Sequence, residues 1–223
     1  MYKNEGTNLY EFFKKNRFFI ILIFYGIGAS GCLIGQSKIL KLSALNLIVT
    51  LVLTIINFPI SKKNLLILIF LYILSFTVEW IGTTTGFPFG EYSYGNSLGP
   101  LFMDVPIIIG LNWIIVSLSA KAISSLIFKP IKNTILQVIV SSFLMLHIDW
   151  LIEPICEYAD FWYWKNMHAP VENYISWWII GLIFQTMVSK LDWNFETERF
   201  LAKLYIVNTV FFIVLNLSKI IWN

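Results

Sequence analysis

The sequence predicts an all-α, polytopic membrane bundle of about seven transmembrane helices, on three observations. Hydrophobic residues make up 57% of the 223 and charged residues only 13%, where soluble domains carry roughly 25% charged residues. Mean hydropathy is +0.73, which leaves too little polar surface to cover a water-soluble fold. The apolar residues also fall in runs long enough to cross a hydrocarbon core of about 30 Å, with short charged breaks between them. No Pro/Gly/Ser-rich linker, low-complexity tract or internal repeat divides the chain, so residues 1–223 read as a single integral membrane domain.

The first apolar run predicts a helix from Phe18 to Gly35. A polar stretch, Met1 to Arg17, precedes it and no small-residue cleavage site follows it, so it is expected to stay as a span and not to be a cleaved signal peptide. The next runs predict helices at Leu42–Ile60, Asn64–Ile81, Val105–Ile127, Thr134–Glu153, Tyr174–Ser189 and Phe200–Ile221. A span needs about 20 residues, so the sixth is marginal, and six or eight spans are the neighbouring solutions.

Basic residues orient the bundle. With the N-terminus in the cytoplasm, the inner side holds Lys3, Lys14, Lys15, Arg17, Lys62, Lys63, Lys121, Lys129, Lys132, Lys190, Arg199 and Lys203, and the outer side Lys38, Lys41, Lys165 and Lys219. The positive-inside rule then favours N-in and C-out, and a bacterial inner membrane is the expected location. The net charge of +3 is spread between apolar segments and makes no nucleic-acid footprint. Cys32 and Cys156 have no metal-ligand spacing and read as two small apolar helix residues. No motif specifies an oligomeric state.

Two loops are unlike solvated loops. Gly82–Met103 has no Lys or Arg, and Cys156–Asn173 is packed with aromatics; both fall on the outer side. Irregular backbone at membrane depth is tolerated where it is buried in protein or lines a cavity, so both are expected to fold back over the bundle.

The depth of the acidic residues carries the functional reading. At 1.5 Å per residue, Glu79 stands about 24 Å from Lys63, Asp104 about 26 Å from Lys121 and Asp149 about 26 Å from Lys132. Three carboxyls on three helices are thus expected just short of the outer interface. Glu153 follows Asp149 at i+4 on the same face. Carboxyls at such depth face a bundle interior or a cavity. Burial disfavours the charged form, and a protonated carboxyl in an apolar cavity is a Brønsted acid with little water to compete. The competing reading places these groups wet and paired among headgroups, which the four together make weaker. A proton- or cation-coupled transport path is the non-enzymatic alternative, although no repeat is present and the carboxyls gather toward one face.

Other chemistries lack their partners. His147 and His168 supply no positioned base for a serine nucleophile, and the glycines of Gly82–Gly90 have no following lysine to make a phosphate loop. His147 and Asp149 are two apart on a helix and point to different faces, so no metal site is expected. Aromatics cluster at the outer end: Trp80, Phe87, Phe89, Tyr92, Tyr94, Trp113, Trp150, Trp162, Trp164, Trp177 and Trp178. An interfacial belt explains part of this. The run Trp162-Tyr163-Trp164 beside Asp160 reads as a cavity wall, and aromatic faces attract cations. A buried acid among aromatics suits protonation of an alkene and shelter of the carbocation that results.

Two blocks carry a resemblance. The first is Glu79-Trp-Ile-Gly82, Thr85-Gly-Phe-Pro-Phe-Gly-Glu-Tyr-Ser-Tyr94, Leu98-Gly-Pro100 and Val105-Pro106; the second is Asp149-Trp-Leu-Ile-Glu-Pro154, Trp162-Tyr-Trp164, Pro170 and Asn173-Tyr-Ile-Ser-Trp177. Together they resemble the membrane carotenoid biosynthesis family that contains the carotenoid hydratases of the bisanhydrobacterioruberin and gamma-carotene type. The chain departs from that pattern at Glu153, where an aspartate is expected, at Ala169 for glycine and at Tyr174 for phenylalanine. The resemblance implies addition of water to the terminal double bond of an acyclic carotenoid end, leaving a tertiary alcohol, with a lipid-soluble substrate and no redox cofactor. A carotenoid cyclase that quenches the same cation by ring closure is the enzymatic alternative.

On this reading Glu79 is the expected proton donor, Asp149 and Glu153 position water and return a proton, and Asp104 is a candidate for either role. Trp80, Phe89, Tyr92, Trp162, Trp164, Asn173 and Trp177 are expected to contact substrate.

Overall fold

A computed structural model of the chain describes residues 5–128 and 134–222, with side chains from residue 9. Lys3, Lys129 and Lys132 of the charge pattern lie outside the described residues. Seven α-helices dominate the described residues: α1 Glu5–Leu33, α2 Ser43–Ile55, α3 Lys62–Thr85, α4 Ile109–Ile127, α5 Thr134–Ile152, α6 Val171–Val188 and α7 Phe195–Trp222. Short 3-10 turns at Ser37–Leu42 and Glu153–Ile155 lead into α2 and extend α5. Among the described residues six spans are long and apolar enough to cross a membrane; α6, marginal in the sequence, is the helix left out of that set. The outward faces of the bundle carry Phe19, Ile23, Leu66, Phe70, Ile73, Phe143, Ile179 and Ile213, the surface of a multi-pass membrane protein.

α4 is the central helix: 67% of its apolar window is buried, against 22% to 39% in the other five spans. Its composition explains this. Ser117, Ser119, Ala120, Ala122 and Ser124 are small enough for neighbours to approach closely. The hydroxyls stay satisfied within the helix, with Ser117 Oγ donating to Trp113 O at 2.6 Å and Ser119 Oγ to Val116 O at 3.0 Å. α4 packs on α3, α5 and α7, while α5 packs on α6 and α1 on α7. α6 is tied to the centre by Gln185 Nε2, which donates to Ser117 O at 3.0 Å.

The fourth sequence-predicted helix starts later than expected. Residues Val105–Pro106 pair with Leu101–Phe102 as a tight antiparallel hairpin, β3 on β2. Met103 and Asp104 form its tip at φ 51° and 61°, and Pro106 has no N–H to give a helix or a ladder. The helix begins only at Ile109.

The two unusual loops fold over one end of the bundle, as expected, and they do so by pairing. Strand β1, Tyr92–Tyr94, runs antiparallel to β4, Trp162–Trp164, in the register Tyr92↔Trp164, Ser93↔Tyr163 and Tyr94↔Trp162. Gly95 N–H continues the ribbon to Phe161 O at 2.9 Å and Ser97 N–H to Asp160 O at 3.1 Å. A side chain at Gly95 would overlap Asp160, so the close approach of the two loops requires glycine there. Lys165 and Glu91 pair across the ribbon.

Candidate active site

Side chains alternate along a strand, so the register puts Tyr92, Tyr94, Trp162 and Trp164 on one face of the ribbon and Ser93 and Tyr163 on the other. The inner face covers the ends of α3, α4, α5 and α6. Tyr163, facing out, donates to Asp160 at 2.9 Å.

Glu79 projects from the last turns of α3 and is 5% exposed. Its Oε2 accepts from Tyr92 Oη at 2.5 Å and Tyr94 Oη at 2.7 Å, and its Oε1 from Trp113 Nε1 at 2.8 Å. The i, i+2 spacing of the tyrosines is what lets both phenols reach one carboxyl. Gly82, one turn further along α3, makes room: a Cβ there would stand 2.7 Å from the Tyr92 hydroxyl and 3.0 Å from the Phe89 ring. Burial, then the Glu79 carboxyl beside them, pushes both phenols well above their ordinary range, so both remain protonated donors. Trp113 stacks on Trp177, with ring centroids 3.8 Å apart and planes 6° apart.

Asp149, on α5, is 1% exposed. Asn173, at the start of α6, donates its Nδ2–H to Asp149 Oδ2 at 3.0 Å and to Glu153 Oε1 at 3.2 Å. Glu153 Oε2 also accepts from Trp164 Nε1 at 2.6 Å, with Trp162 Nε1 at 3.5 Å. The i+4 relation of the two carboxyls survives although the chain tightens to a 3-10 turn at Glu153.

These groups enclose a cavity of about 30 Å³ between the ribbon and the helix ends, lined by Glu79, Phe89, Tyr92, Tyr94, Asn112, Asp149, Glu153, Trp162, Trp164, Asn173 and Trp177. That volume holds one or two waters and no end group, since a water needs about 10–15 Å³ on this measure. Among the described residues its lining has no Lys, Arg or His. A second cavity of about 160 Å³ adjoins it, lined mostly by apolar side chains of α1, the 3-10 turn before α2, α2, α4, α5 and α7, among them Phe24, Leu40, Leu45, Ile115 and Phe211. A dry cavity of about 150 Å³ accepts benzene, so this one is sized for a hydrocarbon group. Ile109, Asn112, Val116, Ile148, Ile152 and Trp162 line both cavities and form their common wall.

The structure therefore brings together Glu79, Asp149 and Glu153 with Phe89, Tyr92, Trp162, Trp164, Asn173 and Trp177. It does not bring in Asp104, which is exposed at the hairpin tip, nor Trp80, 41% exposed on the outer face of α3. One helical step of about 100° carries Trp80 away from the face that holds Glu79. His147 turns from the cavity, its Nδ1 2.8 Å from Tyr205 Oη. Cys32 and Cys156 are buried free thiols. Sequence reasoning missed Tyr94 and Trp113 as partners of Glu79, and Asn112 altogether. The signals were present: the Tyr-Ser-Tyr alternation, and an asparagine at the head of an apolar helix.

A family described as "Carotenoid biosynthesis protein" matches residues 41–223, a range that contains every residue of the acid cavity. Bisanhydrobacterioruberin hydratase of Haloarcula japonica is 25% identical over 210 residues, covering 87% of this chain and 71% of that protein. No solved structure matches the chain. The chain belongs to the carotenoid biosynthesis protein family.

Proposed function

We propose that the protein hydrates the terminal double bond of an acyclic carotenoid end by acid catalysis. The observation that carries this reading is the juxtaposition of a water-sized cavity holding three carboxyls with a hydrocarbon-sized cavity, across one shared wall. The polyene end sits in the apolar cavity with its terminal alkene at the wall. A carboxyl gives its proton to the CH carbon of the double bond, and the positive charge develops on the terminal tertiary carbon. Water from the small cavity attacks that carbon and loses a proton to a second carboxyl, so one water is added and the proton count is restored. No group in this sequence of steps is oxidised or reduced.

Hydrogen bonding divides the roles differently from the sequence expectation. Glu79 and Glu153 are each supplied with several donors, which an acceptor-only carboxylate uses fully. Asp149 accepts from Asn173 alone among the described residues, and is the group we assign as proton donor. Glu153, beside it, receives the proton from water. Glu79, fixed by two phenols and an indole, opposes the developing cation from the far wall, and Trp162 presents its ring at the junction. Asn112, on the same wall, has no protein partner for its side-chain amide among the described residues, which leaves it free to orient the attacking water. The positive-inside pattern supports placing the cap on the outer side of the membrane.

The test is expression in a bacterium that accumulates lycopene or gamma-carotene, with chromatography and mass spectrometry of the pigments. A product heavier by one water supports hydration. An altered spectrum at unchanged mass identifies ring closure instead, and no new pigment from either substrate, with the protein present in the membrane, contradicts the reading.

A further inference from the structure

The end of the bundle opposite the cap has a cavity of its own, about 260 Å³, between α1 and α7. Lys203 lies about 28 Å along α7 from Trp222 at the capped end, close to the thickness of a hydrocarbon core, so this cavity opens at the opposite membrane interface. Lys15 and Arg17 of α1 and Arg199 and Lys203 of α7 line it with a single carboxylate, Glu196. That carboxylate is already engaged by the amide of Asn57. Among the described residues the lysine and arginine ion pairs are Lys63–Asp192 and Lys165–Glu91, so the four cations share one lining carboxylate and positive charge is in excess.

Arg17 is the most constrained of them. It is 7% exposed, and its Nη2 donates to Glu196 O at 2.9 Å while its Nη1 is buried with no acceptor. Aromatic rings hold the cations in place: Arg17 Cζ is 4.4 Å from the Phe200 ring centroid and Lys203 Nζ 4.8 Å from that of Phe18. A buried guanidinium with an unmet donor is completed by an anion, and the N-terminal peptide dipoles of α7 add to the positive potential.

We propose that this cavity binds a phosphate-bearing anion, and that its occupant is the phosphodiester headgroup of an anionic membrane lipid. The site stands apart from the acid cavity and does not depend on the reaction assigned there.

The experiment is native mass spectrometry of the purified full chain in detergent, titrated with phosphatidylglycerol or phosphatidylcholine. Preferential retention of phosphatidylglycerol is expected, falling about fivefold for each cation removed. Arg17→Gln tests the buried group, and the double substitution Lys15→Gln with Lys203→Gln removes two exposed cations. Lys63→Gln, at the same interface but in the pair with Asp192, leaves retention unchanged. Equal retention of the two lipids, or retention indifferent to both cavity variants, would overturn the site. Displacement of phosphatidylglycerol by millimolar inorganic phosphate would overturn the lipid as occupant.

Discussion

Asp149→Asn removes the assigned proton and keeps the shape. Asp149 is buried and accepts from Asn173 Nδ2 at 3.0 Å. An amide oxygen takes that bond equally well. The new amide brings two N–H donors, and the neighbouring Glu153 Oε1, which accepts from Asn173 at 3.2 Å, keeps a second lone pair for one of them. The Asn173 bond is kept, and a donor left unmet would cost about 1–3 kcal/mol of stability. The rate should not be spared. A positioned general acid contributes about 10²- to 10⁴-fold, which at about 1.4 kcal/mol per decade is about 2.7–5.5 kcal/mol of barrier. Asp104→Asn is the matched control, since that residue sits exposed at a hairpin tip at φ 61°, where asparagine is at ease. Initial rates of hydrated-pigment formation, normalised to protein in the membrane, read both. A rate for Asp149→Asn within about threefold of the parent would refute the donor assignment, because general-acid catalysis is not that small. Equal losses in the two variants would refute the placement of the site.

Three further outcomes follow from the same geometry. Gly82→Ala puts a Cβ 2.7 Å from the Tyr92 hydroxyl and drives that phenol off Glu79, for a loss of about 1.5–3 kcal/mol. Cys32 and Cys156 are free and buried, so a thiol-reactive dye reports the lowered melting temperature directly. Gly28→Leu projects into the hydrocarbon cavity beside Phe211 and is expected to raise KM with little change in kcat, as steady-state kinetics will show. Asn112→Leu, nearly the same volume without the amide, should cut water capture by about two- to tenfold. Pigment analysis would then find the cation lost to an isomerised alkene, and an unchanged hydrate fraction would count against the role.

Much of this architecture is legible in the sequence because the bilayer imposes few solutions. Charged breaks and runs of about 20 apolar residues set the spans, and loops rich in aromatic, glycine and proline residues had to be covered. The i+4 spacing of Asp149 and Glu153 carried through directly. Asp104 failed for a definable reason. Its depth assumed a helix continuous from Lys121, whereas α4 stops at Ile109 and a proline-ended hairpin follows outward. Trp80 failed because adjacency in a helix is divergence in space. The strand pairing was hidden because each strand is three residues long, too short for periodicity to register, although Tyr-Ser-Tyr and Trp-Tyr-Trp both alternate. The adjoining cavity drew its walls from five separate helices, which no local pattern announces.

The source of the added oxygen is the most direct test of the central claim. The purified protein would be incubated with its carotenoid in water labelled with heavy oxygen, and separately in heavy water, with mass spectrometry of the product. The account predicts one heavy oxygen for every new hydroxyl, and one non-exchangeable deuterium on the neighbouring carbon. A hydroxyl carrying unlabelled oxygen would contradict it, as would a hydroxylated product with no deuterium on carbon, because the oxygen and the proton would then not have come from water through the acid cavity.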